Sequence, residues 1–201
     1  MIPHTPLPTR RGPVVLFVTA IVVALTLTAC GALSNAANLV PPQQSSTDEA
    51  DADANARTAA NGYFSEPISP FDDDAPAIAR LDPDLRAAVQ QAATDADADG
   101  VELVINSGWR SASYQQSLLD DAIVTYGSLE EARKWVSTPE LSPHVTGHAV
   151  DVGYTDADSW LSQHGNNYGL CQIYANEMWH FELATEPGGT CPEQLTDATA
   201  G

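Results

Sequence analysis

Residues 142–151 read Ser-Pro-His-Val-Thr-Gly-His-Ala-Val-Asp, and residues 177–180 read Glu-Met-Trp-His. Together the two stretches offer histidines and a carboxylate as metal ligands, with a second carboxylate left over. Three protein ligands and one open position are what a hydrolytic zinc site requires. Zinc lowers the pKa of a water in the open position to about 7. The remaining carboxylate can then act as the base toward that water.

The residues around the first two histidines argue against a helical metal site. His144 and His148 are spaced like the pair in a helical His-Glu-x-x-His motif, but Val145 stands where that motif has its glutamate. Gly147 and the β-branched Val145 and Thr146 also disfavour a helix. We therefore treat the helical pair as a false match, and His148 is left either to support the metal ligands from behind or to have a structural role.

An extended segment predicts a different set of ligands. His144 in a loop and Asp151 on the following strand can converge, and His180 arrives on another strand. Glu177 precedes that strand and can lie nearby without being a ligand. For each histidine alone, a surface or hydrogen-bonded core position is the commoner role, so the prediction depends on the joint pattern.

The pattern Ser-x-His-x-x-Gly-x-Ala-x-Asp followed by Glu-x-Trp-His resembles the signature of the VanY-type zinc D-Ala-D-Ala carboxypeptidases. That family shares a fold with the N-terminal domain of Hedgehog proteins. Residues 107–111, Ser-Gly-Trp-Arg-Ser, are similar to its Ser-Gly-Tyr-Arg-Ser motif. The resemblance covers about residues 81–183, with three motifs in the right order. It implies a single α+β domain with a small antiparallel sheet flanked by helices.

By position, the resemblance implies a role for five residues. His144, Asp151 and His180 would bind one Zn²⁺ per chain. Glu177 would be the general base and then the general acid. Arg110 would hold the substrate and stabilise the oxyanion, which makes it the second catalytic residue.

The role of Arg110 also has physical support, because a carboxypeptidase must recognise a terminal carboxylate and offset charge that develops on the scissile carbonyl. The other cations of the predicted domain read as solvated helix charges; they are Arg80, Arg86, Arg133 and Lys134. A structural ion pair is the alternative role for Arg110. Ser142 is predicted to help hold the substrate, and Trp179 is predicted to pack in the core and position His180.

The chain departs from the family pattern in three places. Trp109 replaces the usual tyrosine, the segment between Gly169 and Glu177 is short, and Cys171 and Cys191 are not part of the signature. None of these positions is a predicted metal ligand. All could reshape the cleft, so they affect substrate specificity and leave the zinc chemistry in place.

Local patterns independently predict the α+β class. Asp82 and Pro83 form an N-cap with proline at the first helical position, and the helix should reach about Thr94. Residues 101–105 alternate as a strand does. Helices and short strands then mix without a regular βαβ period, which favours α+β. The further predicted helices are 113–123, one from Ser128, and 158–163; the further strands are 149–152 and 178–183.

The N-terminal residues predict an export signal. Arg10 and Arg11 precede an apolar run, 14–29, which suits a signal-peptide core and is shorter than the roughly 20 residues of a spanning helix. Small residues before Cys30 resemble the lipobox of bacterial lipoproteins, which implies cleavage after residue 29 and lipidation of Cys30. An ordinary secretory signal and an N-terminal membrane anchor are the alternatives. All three place the rest of the chain outside the cytoplasm.

The cysteines and the composition then predict how the rest of the chain is organised into regions. With Cys30 lipidated, Cys171 and Cys191 read most simply as one disulfide in an exported protein. Residues 30–62, rich in Ala, Asp and Ser, are predicted to be a disordered stalk. Residues 63–186 form the predicted zinc D,D-peptidase domain, and 187–201 a polar tail tied by Cys191.

The net charge limits the partners. The chain has 201 residues and a formal charge of −19, which opposes nucleic-acid binding through a basic patch and adsorption to anionic lipid. The expected partners are peptidoglycan stem peptides and, through lipidated Cys30, the membrane. We expect a monomer.

The sequence therefore predicts a lipid-anchored zinc peptidase, on the outer face of the bacterial cytoplasmic membrane, that removes the terminal D-Ala from stem peptides. An L,D-carboxypeptidase or a stem-peptide endopeptidase would use the same zinc site. A non-catalytic cell-wall-binding lipoprotein is the alternative from another class, and the presence of Glu177 argues against it. A purely structural lipoprotein would make the whole motif set a coincidence.

Overall fold

The computed structural model describes residues 56–200. The predicted signal peptide, Cys30 and most of the predicted stalk lie outside the described residues. Within residues 56–200, no helix is both long enough and apolar enough to cross a bilayer.

Helices and strands alternate irregularly along the chain. The α-helices are α1 (Pro76–Ala79), α2 (Pro83–Ala98), α3 (Ala112–Tyr126), α4 (Leu129–Ala132) and α5 (Thr155–His164). The strands are β1 (Val104–Ser107), β2 (Ala149–Gly153), β3 (Leu170–Gln172) and β4 (His180–Leu183). Short 3-10 helices cover Ala59–Asn61 and Gly165–Tyr168.

The four strands form one antiparallel sheet in the order β1-β2-β4-β3. This sheet, with helices packed against it, confirms the predicted α+β class. In the centre of the sheet, Val150 pairs with Phe181 and Asp151 pairs with His180. Directly paired residues point to the same face of a sheet, and successive residues alternate between faces. The apolar pair and the polar pair therefore occupy opposite faces.

The apolar face carries the main core. Val150, Val152 and Phe181 are fully buried, and they belong to one cluster with residues of α2 and α5. The helix residues of that cluster include Leu85, Val89, Ala92, Ala96, Ala157, Trp160 and Leu161. Burying a large apolar side chain contributes about 1.5–3 kcal/mol. The core thus fixes β2 and β4, the strands that carry the polar pair.

Most predicted elements have different boundaries in the structure; the predicted strand 178–183, for example, begins at His180. As predicted, Asp82 caps α2: its Oδ1 accepts hydrogen bonds from Asp84 N at 2.9 Å and Leu85 N at 3.2 Å. The helix continues to Ala98, past the predicted end near Thr94. Strand β1 begins at Val104 instead of residue 101, because its partner β2 ends opposite Val104 at Gly153.

The last residues of the predicted stalk lie against the domain. Ala56 is buried, and Arg57 forms an ion pair with Asp121 of α3. The backbone oxygen of Asn61 accepts a hydrogen bond from Ser111 N at 2.9 Å, directly before α3. Residues 56–62 are therefore an ordered part of the fold, which begins earlier than the sequence predicts.

The disulfide is confirmed. Cys171 in β3 is bonded to Cys191, with a Cα–Cα distance of 5.6 Å. The bond joins the edge strand of the sheet to residues 190–200, which we call the Cys191 segment.

Candidate active site

The three predicted ligands meet at the polar face of the sheet. Asp151 lies in β2, opposite His180 at the start of β4. His144 comes from the loop before β2. All three residues are buried, and each offers one ligand atom within 4.8 Å of the other two. Among residues 56–200, this is the group of histidine, cysteine and acidic side chains that could hold a metal ion.

The ligand atoms form an equilateral triangle. His144 Nε2 lies 3.3 Å from His180 Nδ1, and each of these nitrogens lies 3.3 Å from Asp151 Oδ1. A tetrahedral zinc ion with bonds of about 2.0–2.1 Å separates its ligand atoms by about 3.3–3.4 Å. The donor set and its spacing therefore fit zinc.

Hydrogen bonds behind the histidines direct one ring nitrogen of each histidine into the triangle. His144 Nδ1 lies 2.9 Å from the Gly108 carbonyl oxygen, which only accepts, so Nδ1 carries the proton and Nε2 is free to bind a metal. His180 Nε2 lies 2.9 Å from Glu182 Oε1 and donates to it. Such outer partners fix the ring orientation of metal-binding histidines.

A left-handed turn brings His144 to the sheet. Gly147 has φ +78°, a conformation that costs other residues energy, and an added Cβ would lie 2.5 Å from the Arg80 carbonyl oxygen. Its own carbonyl accepts a hydrogen bond from Asp82 N at 2.9 Å. The glycine of the motif is therefore required by the close approach of two backbones.

Electrostatics favour the ligand forms of two of the three groups. Burial lowers the pKa of His144, and Arg110 adds to this, so its imidazole is neutral. Burial opposes ionisation of Asp151, but His144 and Arg110 outweigh it and hold the pKa of that carboxyl well below its usual range. Burial also lowers the pKa of His180, yet hydrogen bonds to Asp151 and Glu182 prevail and raise it to about 9. A metal ion must therefore displace a proton from His180.

Glu177 lies beside the triangle without belonging to it. The residue is buried, and its Oε2 is 3.8 Å from His180 Nδ1. Its Oε1 is buried with no hydrogen-bond partner among the described residues. Burial raises the pKa of Glu177 to about 7. A carboxyl with a pKa near neutrality can both accept and return a proton.

Arg110 donates hydrogen bonds to three side chains, and its Nη2 also lies 3.3 Å from His144 Nε2. Its Nε donates to Ser107 Oγ at 2.6 Å, and its Nη1 to Gln115 Oε1 at 3.0 Å. Its Nη2 donates to Asp151 Oδ2 at 2.5 Å. Arg110 thus makes the ion pair that the sequence offers as its alternative role. The side chain also lines the cleft in front of the triangle, so the ion pair and a substrate role are compatible.

The cleft in front of the cluster has a volume of about 180 Å³. Ser142, predicted to hold substrate, is buried and lines it. The remaining lining residues are Leu118, Trp135, Val136, Ser137, Tyr174, Trp179 and Ala198. The predicted ligands, Glu177, Arg110 and Ser142 therefore all face one space.

Two other predictions concern residues near the motif. His148 is 61 % exposed at its side chain and lies outside the cluster, in agreement with its rejection as a ligand. Trp179 was expected to pack in the core, and that expectation is wrong: it is 36 % exposed and lines the cleft. The residue lies in the turn directly before β4, outside the strands that pack on the core.

Sequence reasoning missed three residues that support the site. Gln115 is buried and joins Arg110 to the Ser137 carbonyl, to which its Nε2 donates at 2.8 Å. Glu182 holds His180. The Tyr174 ring contacts the His180 ring, with centroids 4.9 Å apart and the planes tilted by 48°. The signal for Glu182 was its place two residues after a ligand in a strand, where side chains share a face.

Comparison with known proteins finds one family over this region. The family VanY, described as D-alanyl-D-alanine carboxypeptidase, matches residues 78–187. This range contains every metal ligand of the triangle, together with Arg110, Ser142 and Glu177.

One curated relative and two solved structures illustrate the similarity. A D-alanyl-D-alanine carboxypeptidase of Enterococcus faecalis (strain ATCC 700802 / V583) is 28 % identical over 127 residues, which cover 51 % of this chain and 47 % of the relative. The chain thus spans about half the length of that relative.

The two structures are 25 % identical to this chain and cover 51 % of it. A mutant of the vancomycin resistance D,D-pentapeptidase VanY from a VanB-type cassette, in complex with Zn(II), has a TM-score of 0.48, with 71 % of that chain covered. VanYB in complex with D-alanine-D-alanine has a TM-score of 0.49, with 70 % covered.

Proposed function

The chain belongs to the VanY D-alanyl-D-alanine carboxypeptidase family, and on that basis we propose that it is a zinc-dependent carboxypeptidase that removes the terminal D-Ala from peptidoglycan stem peptides. The observation that carries the proposal is the triangle of His144, Asp151 and His180 with Glu177 beside it. A metal triangle alone would also suit a protein that merely stores zinc. A buried carboxyl next to the triangle, with an oxygen that no described residue binds, supports hydrolysis instead.

His144, Asp151 and His180 would hold the zinc ion. When bound, zinc supplies a Lewis acid and makes water a nucleophile at neutral pH. Glu177 takes the proton from the attacking water and returns it to the amine of the departing D-Ala. The orphaned Oε1 of Glu177 is the acceptor for that proton, because Oε2 faces His180.

Arg110 supplies positive charge at the same cleft. Its guanidinium is fixed by Ser107, Gln115 and Asp151, so little reorganisation is needed when negative charge appears nearby. In the proposed reaction, Arg110 binds the terminal carboxylate or the oxygen of the scissile carbonyl. Ser142 adds a hydroxyl at the cleft wall.

The proposal includes the location of the enzyme. A lipid on Cys30 would keep the domain on the outer face of the cytoplasmic membrane, near nascent peptidoglycan. The support is the lipobox-like sequence at residues 27–31 and its upstream apolar run. Labelling of cells with a fatty-acid analogue should mark the wild type and not Cys30→Ser.

The catalytic proposal is tested with three peptides of the stem: the tripeptide, the tetrapeptide and the pentapeptide. Zinc-loaded wild type should convert the pentapeptide to the tetrapeptide with release of D-Ala, detected by mass spectrometry. Glu177→Gln should lower kcat by about 10²–10⁴-fold while zinc content stays at one per chain.

The products separate the alternatives. Conversion of the tetrapeptide to the tripeptide would indicate an L,D-carboxypeptidase, and cleavage within a cross-linked stem an endopeptidase. A zinc-loaded wild type that releases nothing from any of these substrates would contradict an enzymatic role.

A further inference from the structure

The Cys191 segment returns to the active site after the disulfide. The backbone of Leu195 pairs with the loop that follows β3: Leu195 N donates to Ile173 O at 2.9 Å, and Ala175 N donates to Leu195 O at 2.8 Å. These bonds add to the covalent link from Cys191 to Cys171. The segment is therefore held at two points, only four residues apart along the chain.

A turn then directs the segment into the cleft. Asp197 Oδ1 accepts hydrogen bonds from Thr199 N at 2.9 Å and Thr199 Oγ1 at 2.5 Å, and Asp197 O accepts one from Ala200 N at 3.1 Å. The turn places Ala198 among the residues that line the cleft, while Ala200 stays exposed. The small methyl group of Ala198 leaves room where a larger side chain would fill it.

A hydrogen bond joins two of the chain segments next to the cleft. Asn176 Nδ2 donates to Lys134 O at 2.9 Å, which connects the loop after β3 with the residues after α4. Trp135, which follows Lys134, and Tyr174, two residues before Asn176, both line the cleft. Ala198 lines the same cleft.

The cleft is small. Its volume of about 180 Å³ is below the roughly 300–1,000 Å³ of pockets that hold drug-sized ligands. Such a cleft suits the end of an extended peptide with small side chains.

We propose that residues 195–198, anchored by the Cys171–Cys191 disulfide and by the Leu195 backbone pairing, form a specificity-determining wall that limits the side chains accepted at the last two positions of the substrate. This inference rests on the proposed function, because it concerns which peptides that site accepts. No residue of the wall takes part in the chemistry. Its effect is on the size of the side chains admitted.

The test uses matched tryptophan substitutions and a panel of peptides. Ala198→Trp fills the cleft, and Ala200→Trp adds the same side chain two residues away on the exposed surface. The peptides end in D-Ala-D-Ala, D-Ala-D-Leu or D-Leu-D-Ala. We expect Ala198→Trp to lower kcat/KM for D-Ala-D-Ala by about tenfold or more, and Ala200→Trp to match wild type, with the zinc content of both unchanged.

Removing or loosening residues 195–198 should widen the range of side chains that the cleft accepts. Removal of residues 195–201, or Cys171→Ser with Cys191→Ser, is expected to reduce the preference for D-Ala over D-Leu by about tenfold, since one or a few methylenes in a pocket are worth that much discrimination. If the shortened chain does not fold, the comparison of Ala198→Trp with Ala200→Trp alone tests the proposal. An unchanged preference in a folded, zinc-loaded variant without residues 195–201, or equal behaviour of the two tryptophan variants, would overturn the proposal.

A binding measurement keeps this test separate from the proposed activity. In a Glu177→Gln background, the Kd of each peptide is measured by calorimetry. If wild type hydrolyses nothing yet Ala198→Trp still weakens peptide binding relative to Ala200→Trp, the proposed function fails and the wall stands. If hydrolysis is normal and the two tryptophan variants bind alike, the wall fails and the proposed function stands.

Discussion

The two sides of the cleft are built in different ways. On one side, Asp151 and His180 are paired residues of adjacent strands with an apolar core behind them. On the other, Trp135 and Ala198 come from segments without regular structure, joined by a few hydrogen bonds and one disulfide. Metal coordination requires ligand atoms at fixed positions, and the paired strands of the sheet provide them. Substrate selection tolerates variation, which suits the segments between elements.

The first test of this difference between the two sides of the cleft is removal of the metal. Removing zinc with a chelator should abolish activity and lower the Tm by about 5–10 °C, since zinc at about 100 times its Kd adds roughly 2.7 kcal/mol, and each kcal/mol shifts the Tm of a domain of this size by about 2–4 °C. Calorimetry with and without the chelator measures the shift, and added zinc should restore it. An identical Tm in both states would mean that the sheet side is not organised by a metal.

The second test concerns the support behind the metal. Glu182→Ala should weaken zinc affinity by about 10–100-fold, because the mutation removes the acceptor that holds His180. Glu182→Gln keeps an acceptor oxygen and should lose less. Glu102→Ala, a glutamate exposed on the surface, is the control. Competition with a fluorescent zinc chelator gives the affinities, and equal values for Glu182→Ala and Glu102→Ala would contradict this role.

The third test concerns the bridge between the two sides. Gln115 touches Arg110 and the Ser137 carbonyl, whereas its neighbour Gln116 is exposed and bonds only to Asp120 in α3. Gln115→Ala should reduce kcat/KM by about tenfold to a hundredfold through misplacement of Arg110, and it should reduce the free energy of unfolding by about 1–3 kcal/mol. Gln116→Ala should change neither quantity. Normal kinetics in Gln115→Ala would show that Arg110 needs no such support.

The smallest effect is expected at Asp158, in the helix α5 that packs against the sheet. Its Oδ1 is buried without a hydrogen-bond partner among the described residues, and burial, with Asp151 and Asp156 nearby, raises the pKa of Asp158 to about 6. The folded state therefore favours the protonated carboxyl. This contribution to stability is fully present below about pH 4 and is lost as the pH rises through about 6.

Asp158→Asn removes that pH dependence. Its Tm should exceed that of wild type by about 1–3 °C at pH 7.5 and equal it at pH 4. Thermal unfolding at both pH values checks this. A variant that is less stable than wild type at pH 7.5 would mean that the carboxylate is favourably placed.

The sequence predicted the sheet side of the site far better than the opposite wall. His144, Asp151 and His180 could be identified because their chemistry is specific and because Gly147 and the β-branched residues excluded a helix. The face of the sheet on which each strand residue lies could then be predicted, because successive side chains of a strand alternate between faces. These inferences rest on local spacing, on the donors that zinc requires, and on the resemblance of the motifs to the VanY signature.

The rest depends on contacts between distant parts of the chain. Gln115 reaches Arg110 and Ser137 only after α3 has packed beside the cleft. The Cys191 segment reads as a polar tail, yet Leu195 pairs with the loop after β3. Trp179 looked like a core residue because of its type, and its place at the rim of the cleft follows from where β4 begins. Composition carries no information on any of these placements.

The register of β2 against β4 has a consequence for assembly of the protein. Asp151 and His180 face each other across the ladder, and a slip of one residue would turn one of them into the apolar core. A cation that binds both side chains therefore stabilises the native register of the two strands over a register shifted by one residue. A metal ion that binds during folding would therefore select the chains in which β2 and β4 are correctly aligned.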